Sequence, residues 1–402
     1  MRNRQLRNLI RGLVLTCVAS LLCGCAKDVR FATFNASLSR DNPGQLLTDV
    51  SKPDNKQIAA VAQIIQTVRP DVLLLNEFDF DASGESLSRF QKNYLSISQG
   101  GAKPIEYRFS YIVPSNTGVP TGVDTDSNGQ IVSTPGQAGY AADAHGWGEF
   151  PGRYAFVILS NFPIDRQNIR SNQQLLWKDL PGNRMPADYF KEPARNVLRL
   201  SSKNHVDVPI RVGGKTIHVI ASHPTPPVFD GPEDRNGLRN HDEIKLIARM
   251  IESTTYVDSK GGPNWTQGKP RVAVRTEPFV VMGDLNADPN DGESVGGAIN
   301  QLLNHPLIDS SFVPTSAGAA EAAQKQGGVN VGHKTPASAD TADWRDDRGS
   351  GNLRTDYVLP SKGLKILGGG VFWPAESDPN HKLVEQNISS DHRLVWLDLR
   401  VR

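Results

Sequence analysis

The chain has 402 residues, with 44 Lys and Arg against 43 Asp and Glu, and its formal net charge is +1. Hydrophobic residues make up 38% of the chain and the mean hydropathy is −0.40. These values exclude a multi-span membrane protein and a wholly disordered low-complexity chain. The balanced charge also argues against a protein that holds nucleic acid mainly through a strongly basic field.

The N-terminal segment has the layout of a bacterial export signal. Four arginines precede a short apolar run that is shorter than a typical transmembrane helix. The stretch Leu22-Cys-Gly-Cys25 resembles a lipobox, so we predict a lipoprotein-type signal peptide over residues 1–24 and lipidation of Cys25. A plain secretory signal and an uncleaved membrane anchor are the alternatives.

Removal of residues 1–24 changes the character of the chain. The remaining body would carry 40 basic and 43 acidic residues, a formal charge of −3, and no cysteine from Ala26 onward. A disulfide framework, a thiolate zinc site and a cysteine nucleophile are therefore excluded. We expect an exported monomer, lipid-anchored at the bacterial cell envelope on its periplasmic or extracellular face.

The first predicted elements alternate between strand and helix. A short apolar strand over residues 30–35 comes first, followed by apolar residues at helical spacing from Ile58 to Val68, where Pro70 ends the helix. Residues 71–75 form a continuous apolar run that predicts a buried strand. This order is typical of a layered α/β fold.

The later segments continue the same pattern. Further strands are predicted at 154–159, 216–221, 278–282, 353–359 and 393–401, a helix at 243–251, a loop-rich region at 100–152 and an extended surface loop at 315–350. No repeat or clear linker divides the body, so we predict one domain over residues 26–402.

Polar side chains capable of acid–base chemistry or metal binding lie at or next to the ends of these strands. They are Asn35, Glu77, His223, Asp284, Asn286, Asp356, Asp391 and His392. A single such residue is ordinarily structural. Their repetition from strand to strand indicates that one site gathers them.

The motifs around these residues occur in the order of a known family. They are Ala-Thr-Phe-Asn35, Leu-Leu-Asn-Glu77, Ser-His223-Pro, Gly-Asp284-Leu-Asn286-Ala-Asp-Pro, Arg354-Thr-Asp356-Tyr and Ser-Asp391-His392. The ordered set resembles the endonuclease/exonuclease/phosphatase superfamily, and in particular its deoxyribonuclease-like members. With the predicted lipoprotein signal, the chain resembles a bacterial lipoprotein member of that superfamily. The resemblance implies a four-layer α/β/β/α sandwich of two packed mixed β-sheets, and a catalytic domain over residues 26–402.

The resemblance also implies a metal site. Glu77 would be the principal ligand, and Asn35 and Asp391 would complete the metal neighbourhood, partly through water. Hard oxygen ligands of this kind suit Mg²⁺, with Mn²⁺ or Ca²⁺ as alternatives. Asn76 stands where Gln often precedes the glutamate in the family, which puts no ligand in question.

The remaining residues would perform the hydrolysis. By resemblance, Asp284 positions or deprotonates the attacking water, Asn286 binds a phosphate oxygen, and His223 donates to the transition state or leaving oxygen. His392 contacts the phosphate or acts as base, with Asp356 orienting its imidazole. Which of Asp284 and His392 is the general base stays open.

These inferences predict a secreted or lipid-anchored divalent-metal-dependent phosphoesterase. It would hydrolyse a phosphodiester or phosphomonoester by direct attack of water. An extracellular endonuclease of the deoxyribonuclease type is one alternative, although the slightly acidic body does not favour nucleic acid. A binding lipoprotein that keeps the fold without turnover is the other.

A second acidic segment resembles the first half of a calcium loop. Asp124, Asp126, Asn128 and the following glycine alternate as in such loops, which makes them a candidate structural Ca²⁺ site. The twelfth position is Pro135 rather than Glu, so Asp143 or Glu149 would have to supply a distant carboxylate. A solvated turn of Asx type is the alternative.

Overall fold

The computed structural model describes residues 26–252 and 275–402. The predicted signal peptide at 1–24 and the predicted lipidation site Cys25 lie outside the described residues, so export and anchoring stay predictions. Among the described helices, none combines the length and apolarity needed to cross a membrane.

Eleven strands are described, and they form two sheets. The strands are β1 Lys27–Leu38, β2 Val72–Phe78, β3 Phe109–Val113, β4 Phe156–Ser160, β5 Arg170–Ser171, β6 His205–Val212, β7 Lys215–Ser222, β8 Phe279–Asp284, β9 Asp356–Pro360, β10 Lys365–Val371 and β11 Val395–Val401. The six-stranded sheet has the order β10-β11-β1-β2-β4-β3, and the five-stranded sheet has the order β5-β6-β7-β8-β9. Each sheet contains one parallel pair, β1 with β2 and β7 with β8, among antiparallel neighbours.

Seven α-helices accompany the sheets in the described ranges. They are α1 Gln45–Asp49, α2 Lys56–Val68, α3 Glu85–Phe90, α4 Ala194–Val197, α5 Arg235–Glu252, α6 Asn300–Leu303 and α7 Ala317–Gln326. The side chain of Asn55 caps α2 by accepting from the Ile58 amide at 3.1 Å, and Arg69 ends it in the left-handed conformation.

Alternate residues of β7 and β8 face two different cores. Val219 and Val280 belong to the core shared with the six-stranded sheet and α2, whereas Ile220 and Val281 belong to the core shared with α5. This alternation follows from the two-residue period of a strand. The layers are therefore helix, sheet, sheet and helix, which confirms the predicted sandwich of two packed mixed β-sheets.

The structure corrects several element predictions. The segment 315–350 was predicted as an extended loop, but it contains α7, because Ser316 caps the helix on the Ala319 amide and alanines favour helical backbone. The strand predicted from residue 353 begins at Asp356, and the helix predicted at 243–251 starts already at Arg235. The sequence analysis missed four described strands, β3, β5, β6 and β10. Of these, β3 lies within the segment 100–152 that was predicted as loop-rich, β5 has only two residues, β6 contains a proline and β10 contains three glycines.

The backbones of β7 and β8 approach each other closely at Gly283. A Cβ atom at this position would lie 2.1 Å from the carbonyl oxygen of Ser222. Because the two strands are parallel, the residues that follow Ser222 and Gly283 emerge at the same sheet edge. These residues are His223 and Asp284, so the missing side chain of Gly283 sets how close they come.

We expect Gly283→Ala to destabilise the fold by about 1–3 kcal/mol, because backbone atoms rather than a flexible side chain occupy the space of the new methyl group. Urea unfolding followed by circular dichroism measures this loss. Gly363→Ala is the matched control, since a Cβ there meets nothing within 4 Å. Equal unfolding midpoints for the two variants would contradict the close approach.

Candidate active site

The structure brings the predicted site residues together at one edge of the two sheets. Glu77 lies near the end of β2, Asp284 ends β8, and Asp356 begins β9, which is antiparallel to β8 and pairs Asp356 with Asp284. Asp391 and His392 lie in the short segment before β11, which begins at Val395. Residues from both sheets therefore meet across the sandwich.

Asp284 lies at the centre of the group and is 1% exposed. Its Oδ2 accepts a hydrogen bond from Asn35 Nδ2 at 3.0 Å, and its Oδ1 accepts one from the backbone amide of Asn286 at 2.9 Å. The Nε2 atoms of His223 and His392 lie 3.3 Å and 3.7 Å from the same Oδ2. Four predicted site residues thus contact this carboxylate.

The surroundings of Asp284 favour its ionised form. Burial alone would raise the pKa of Asp284, but the charge of the His392 imidazole and the hydrogen bonds from His223 and Asn35 lower it below its usual range. The carboxylate is therefore negative at neutral pH and can accept a proton or orient a water molecule.

His392 is held between two carboxylates. Its Nδ1 lies 2.9 Å from Asp356 Oδ2, which also accepts hydrogen bonds from the hydroxyls of Thr341 at 2.8 Å and Thr355 at 3.2 Å. Burial lowers the pKa of His392, but the charges of Asp356 and Asp284 outweigh it and raise that pKa well above its ordinary value. His392 is therefore a buried cation at neutral pH.

Asp356 is the more basic of the two carboxylates beside His392. Burial, followed by repulsion from Asp284, raises the pKa of Asp356 to about 6, against the opposing attraction of His392. One of its oxygens, Oδ1, is buried without a hydrogen-bond partner. Asp356 contacts Nδ1, so Nε2 is the imidazole nitrogen directed towards the centre of the site.

Two of the site residues occupy the left-handed backbone region. Glu77 has φ 58° and Asn286 has φ 51°. A residue with a side chain pays about 1–3 kcal/mol for such a conformation, and these outliers concentrate at functional sites. The left-handed conformation changes the direction of both side chains from the one that a regular strand would give them.

The two carboxylates among the predicted metal ligands, Glu77 and Asp391, accept hydrogen bonds from neighbouring side chains. Glu77 accepts hydrogen bonds from Asn35 at 3.1 Å and Ser39 at 3.3 Å, and Asp391 accepts them from Ser37 and Trp344, both at 3.1 Å. These donors are all neutral. A hard divalent cation would add positive charge beside these carboxylates, so the donor set fits Mg²⁺, and the ligand roles stay predictions.

His223 differs from His392 in its charge. Burial, then the charge of Lys203, lowers the pKa of His223, although Asp284 opposes both. Its Nδ1 is buried without a hydrogen-bond partner, while its Nε2 faces Asp284. A neutral His223 therefore offers an N–H donor rather than a second cation.

Lys203 is a residue of this site that sequence reasoning missed. It is 6% exposed, lines the same cleft as His223 and Asp284, and donates to the Pro224 carbonyl at 3.4 Å. Burial lowers the pKa of Lys203, whereas the carboxylates of Glu243 and Glu77 raise it. Lys203 lies just before β6, which the sequence did not predict, so no signal marked it.

The site opens into a cleft of about 1040 Å³. Glu77, Asp284, Asn286, Asp391 and His392 line its floor together with His223 and Lys203. Its walls carry several aromatic side chains, among them Tyr154, Trp344, Trp147 and Phe229. Trp344 packs edge-on against His392, with ring centroids 5.4 Å apart.

The candidate calcium loop gathers three carboxylates. Ligand atoms of Asp124, Asp126 and Asp143 lie within 4.8 Å of one another. Asn128, however, directs its amide nitrogen at Asp126 at 2.9 Å, and its amide oxygen accepts from Gln130 at 2.8 Å. This pattern is that of an Asx turn. Calcium binding therefore stays a prediction.

A buried polar face of α5 ties the site loops together. Glu243, which is fully buried, accepts hydrogen bonds from the amides of Ser202 at 2.7 Å and Thr225 at 2.6 Å. Asn240 donates to the carbonyls of Thr225 at 2.8 Å and Leu285 at 3.0 Å. Three loops, those carrying Lys203, His223 and Asn286, are thereby fixed to one helix. Glu243 and Asn240 are positioning residues that the sequence analysis did not single out.

We expect Glu243→Gln to loosen the loops at Ser202 and Thr225 while α5 stays folded. A carboxylate accepts from both amides, whereas the amide nitrogen of glutamine cannot accept. Loss of a charge-assisted bond of about 1.5–3 kcal/mol predicts at least about tenfold faster hydrogen exchange at one or both amides. Native-state exchange measures this, with the half-exposed Glu252→Gln of the same helix as control. Unchanged exchange at both amides would contradict the role of Glu243 in holding the two loops.

A further buried carboxyl lies beside the loop that follows Asp284. Asp340 is 2% exposed, and burial together with the charges of Asp288 and Asp291 raises the pKa of Asp340 to about 8. Asp288 itself accepts from the amides of Asn290 and Arg354 and from the Thr335 hydroxyl. The folded state therefore prefers neutral Asp340 at physiological pH.

We expect Asp340→Asn to stabilise the protein at pH 8.5 and to leave it unchanged at pH 4. Because the folded pKa lies above the unfolded value, the contribution of Asp340 to stability is full below about pH 4 and is lost as the pH rises to about 8, at up to about 1.4 kcal/mol per pH unit. Thermal unfolding across this range checks the slope, with the exposed Asp54→Asn as control. A variant less stable than wild type at pH 8.5 would refute the prediction.

Comparison with known proteins places this geometry in a family. The Endonuclease/Exonuclease/phosphatase family matches the chain over residues 32–392. No curated protein sequence matches it. The match contains every family motif described above and extends over most of the chain.

Several solved structures are similar to the chain at low identity. An endonuclease/exonuclease/phosphatase from Beutenbergia cavernae has 18% sequence identity and a TM-score of 0.48, and the match covers 93% of this chain and 72% of that one. An endonuclease/exonuclease/phosphatase family protein from Leptotrichia buccalis has 15% identity and a TM-score of 0.47, with 92% of this chain and 99% of that one covered. A mutant beta toxin from Staphylococcus aureus with bound magnesium ions has 15% identity and a TM-score of 0.42, with 92% of this chain and 99% of that one covered. The assignment itself rests on the match over residues 32–392, which shows that the chain belongs to the endonuclease/exonuclease/phosphatase family.

Proposed function

We propose that this protein is a divalent-metal-dependent phosphoesterase that hydrolyses a phosphodiester or phosphomonoester by direct attack of water. Members of its family are generally metal-dependent hydrolases of phosphoester bonds. The observation that carries the proposal is the buried contact between Asp284 and His392, with His392 held on Asp356. This arrangement supplies an anion that would orient the attacking water and a cation that would bind the phosphate.

The two charges have complementary tasks. Asp284 accepts hydrogen bonds in its ionised form and would orient the attacking water or take its proton. His392 would bind a phosphoryl oxygen through Nε2 and stabilise the charge that develops there, since Asp356 occupies its Nδ1. The raised pKa of His392 argues against His392 as the group that takes the proton from water, because a protonated imidazole cannot accept one.

Other cleft residues would stabilise the transition state. His223 would donate from its imidazole and Asn286 from its amide to phosphoryl or leaving oxygens. Lys203 would add a partly desolvated positive charge beside them, where electrostatic attraction is stronger than in water. No nucleophilic side chain is invoked, so no covalent intermediate forms.

Glu77, Asn35 and Asp391 would hold the cation. Mg²⁺ is the expected ion because all three offer hard oxygen atoms, and when bound it would neutralise phosphate charge. Mn²⁺ and Ca²⁺ are alternatives that a metal titration separates. A structural Ca²⁺ in the Asp124 loop remains a prediction.

The proposal extends to location and substrate. We propose an exported, lipid-anchored monomer, on the strength of the N-terminal sequence alone. The cleft is lined by six acidic residues against five lysines and arginines, and Arg235, Arg345 and Arg348 pair with Glu233 or Asp347, so the lining is not a strongly basic patch. The charge of the cleft thus supports a small phosphoester over a polynucleotide.

We expect hydrolysis of an aryl phosphodiester or phosphomonoester that stops when EDTA removes the metal. His392→Ala and Asp284→Asn should each lower kcat by about 10²–10⁴, because each removes a group that handles a proton or the developing charge. Release of nitrophenol in Mg²⁺, Mn²⁺ and Ca²⁺, together with assays on plasmid DNA and sphingomyelin, measures the activity and its range.

The controls are His333→Ala and Asp54→Asn, which remove the same kinds of side chain outside the cleft. Circular dichroism of every variant separates lost chemistry from lost folding. Equal rates in wild type, His392→Ala and Asp284→Asn would reject the site, and no turnover with any substrate or metal would favour a binding lipoprotein instead.

A further inference from the structure

Two large aromatic side chains stand exposed on the walls of the catalytic cleft. Phe229 is 87% exposed and Trp147 is 62% exposed. Both line the cleft that contains His223, Asp284 and His392. The hydrophobic effect disfavours leaving such side chains in water, so two of them in the lining of one cleft indicate a ligand that covers them.

The loop that carries Phe229 holds the ring outward. On one side of Phe229, the carbonyl oxygen of Val228 accepts a hydrogen bond from Asn236 Nδ2 at 2.7 Å. On the other side, Asp230 Oδ2 accepts one from the backbone amide of Asn236 at 2.5 Å. Two prolines precede this segment and restrict its backbone further. Phe229 itself has φ 66°, a conformation that bulky residues avoid. The exposure is thus fixed by a rigid and strained loop.

The backbone around Trp147 is held with similar firmness. A Cβ atom on Gly146 would lie 1.9 Å from the Ser202 carbonyl oxygen, and one on Gly148 would lie 3.0 Å from the Gly118 nitrogen. The Gly118 amide also donates to the Gly146 carbonyl at 2.8 Å. The two glycines therefore let the chain pack closely while the indole between them projects into the cleft.

We propose that Trp147 and Phe229, which we call the aromatic rim, bind a planar aromatic group attached to the phosphate of the substrate. The inference rests on the proposed function and deepens it by naming a substrate class. Ring faces bind planar groups by stacking, and each such contact contributes about 0.5–1.5 kcal/mol beyond area burial. The cleft lining has six acidic residues against five lysines and arginines, so it adds no strong positive field for a polyanion. The occupant is therefore a small aryl-bearing phosphoester.

The experiment uses non-hydrolysable ligands, so that it reports binding without turnover. Calorimetry in Mg²⁺ compares benzylphosphonate, methylphosphonate and inorganic phosphate. We expect wild type to bind benzylphosphonate about tenfold or more tightly than methylphosphonate, and Phe229→Ala and Trp147→Ala each to lose most of that preference. Affinity for inorganic phosphate should stay within about twofold in both variants, because it needs only the cleft floor.

Val331→Ala is the matched control, since Val331 is 83% exposed and does not line the cleft. A benzyl preference that survives both rim substitutions would overturn the inference and leave the proposed function intact. Absence of binding by all three ligands, with no hydrolysis, would overturn both.

Vesicle sedimentation with phosphatidylcholine and sphingomyelin tests the competing occupant. Vesicle binding that depends on Phe229 and Trp147, together with an unchanged benzyl preference, would assign the rim to a lipid surface and overturn the inference. Benzyl selectivity lost in both variants, without vesicle binding by wild type, would support it.

Discussion

The burial of one carboxylate organises this protein. Asp284 is almost inaccessible to water, and a buried charge is costly unless hydrogen bonds and opposite charges compensate it. Here the compensating groups come from distant parts of the chain: Asn35 from the six-stranded sheet, His223 from the end of β7 and His392 from the segment before β11. This favours one relative position of the two sheets, since a shift between them would remove the contacts that Asn35 and His392 make with the carboxylate.

Compensation of buried polar groups by hydrogen bonds also explains why α5 buries polar as well as apolar side chains. Its apolar side packs on the five-stranded sheet through Ile244 and Ile247, as expected for an amphipathic helix. Its polar side is also buried, because Asn240 and Glu243 satisfy backbone groups of the site loops. Loops normally lack such regular partners, so the helix acts as a rigid template for residues that belong to no sheet.

The sequence predicted the parts whose signals are local. Apolar runs ending in polar residues identified β2, β7 and β8, and the ordered motifs identified the residues that meet around Asp284. It did not predict α7, whose alanine- and glycine-rich composition suggested a loop, or β6, which contains Pro209. Lys203 and Glu243 were missed for another reason. Their roles arise from contacts such as that between Glu243 and Ser202, 41 residues apart, which no local pattern encodes.

The position of β11 has a consequence for how the molecule matures. This strand pairs with β1 on one side and β10 on the other, so residues separated by more than 360 positions, such as Arg30 and Asp398, become neighbours in the sheet. Asp391 and His392 enter the site only when β11 is seated. A nascent chain that has emerged only as far as β9 thus lacks β10, β11 and two residues of the proposed active site. Such long-range closure slows folding, and it delays assembly of the proposed site until β11 has paired.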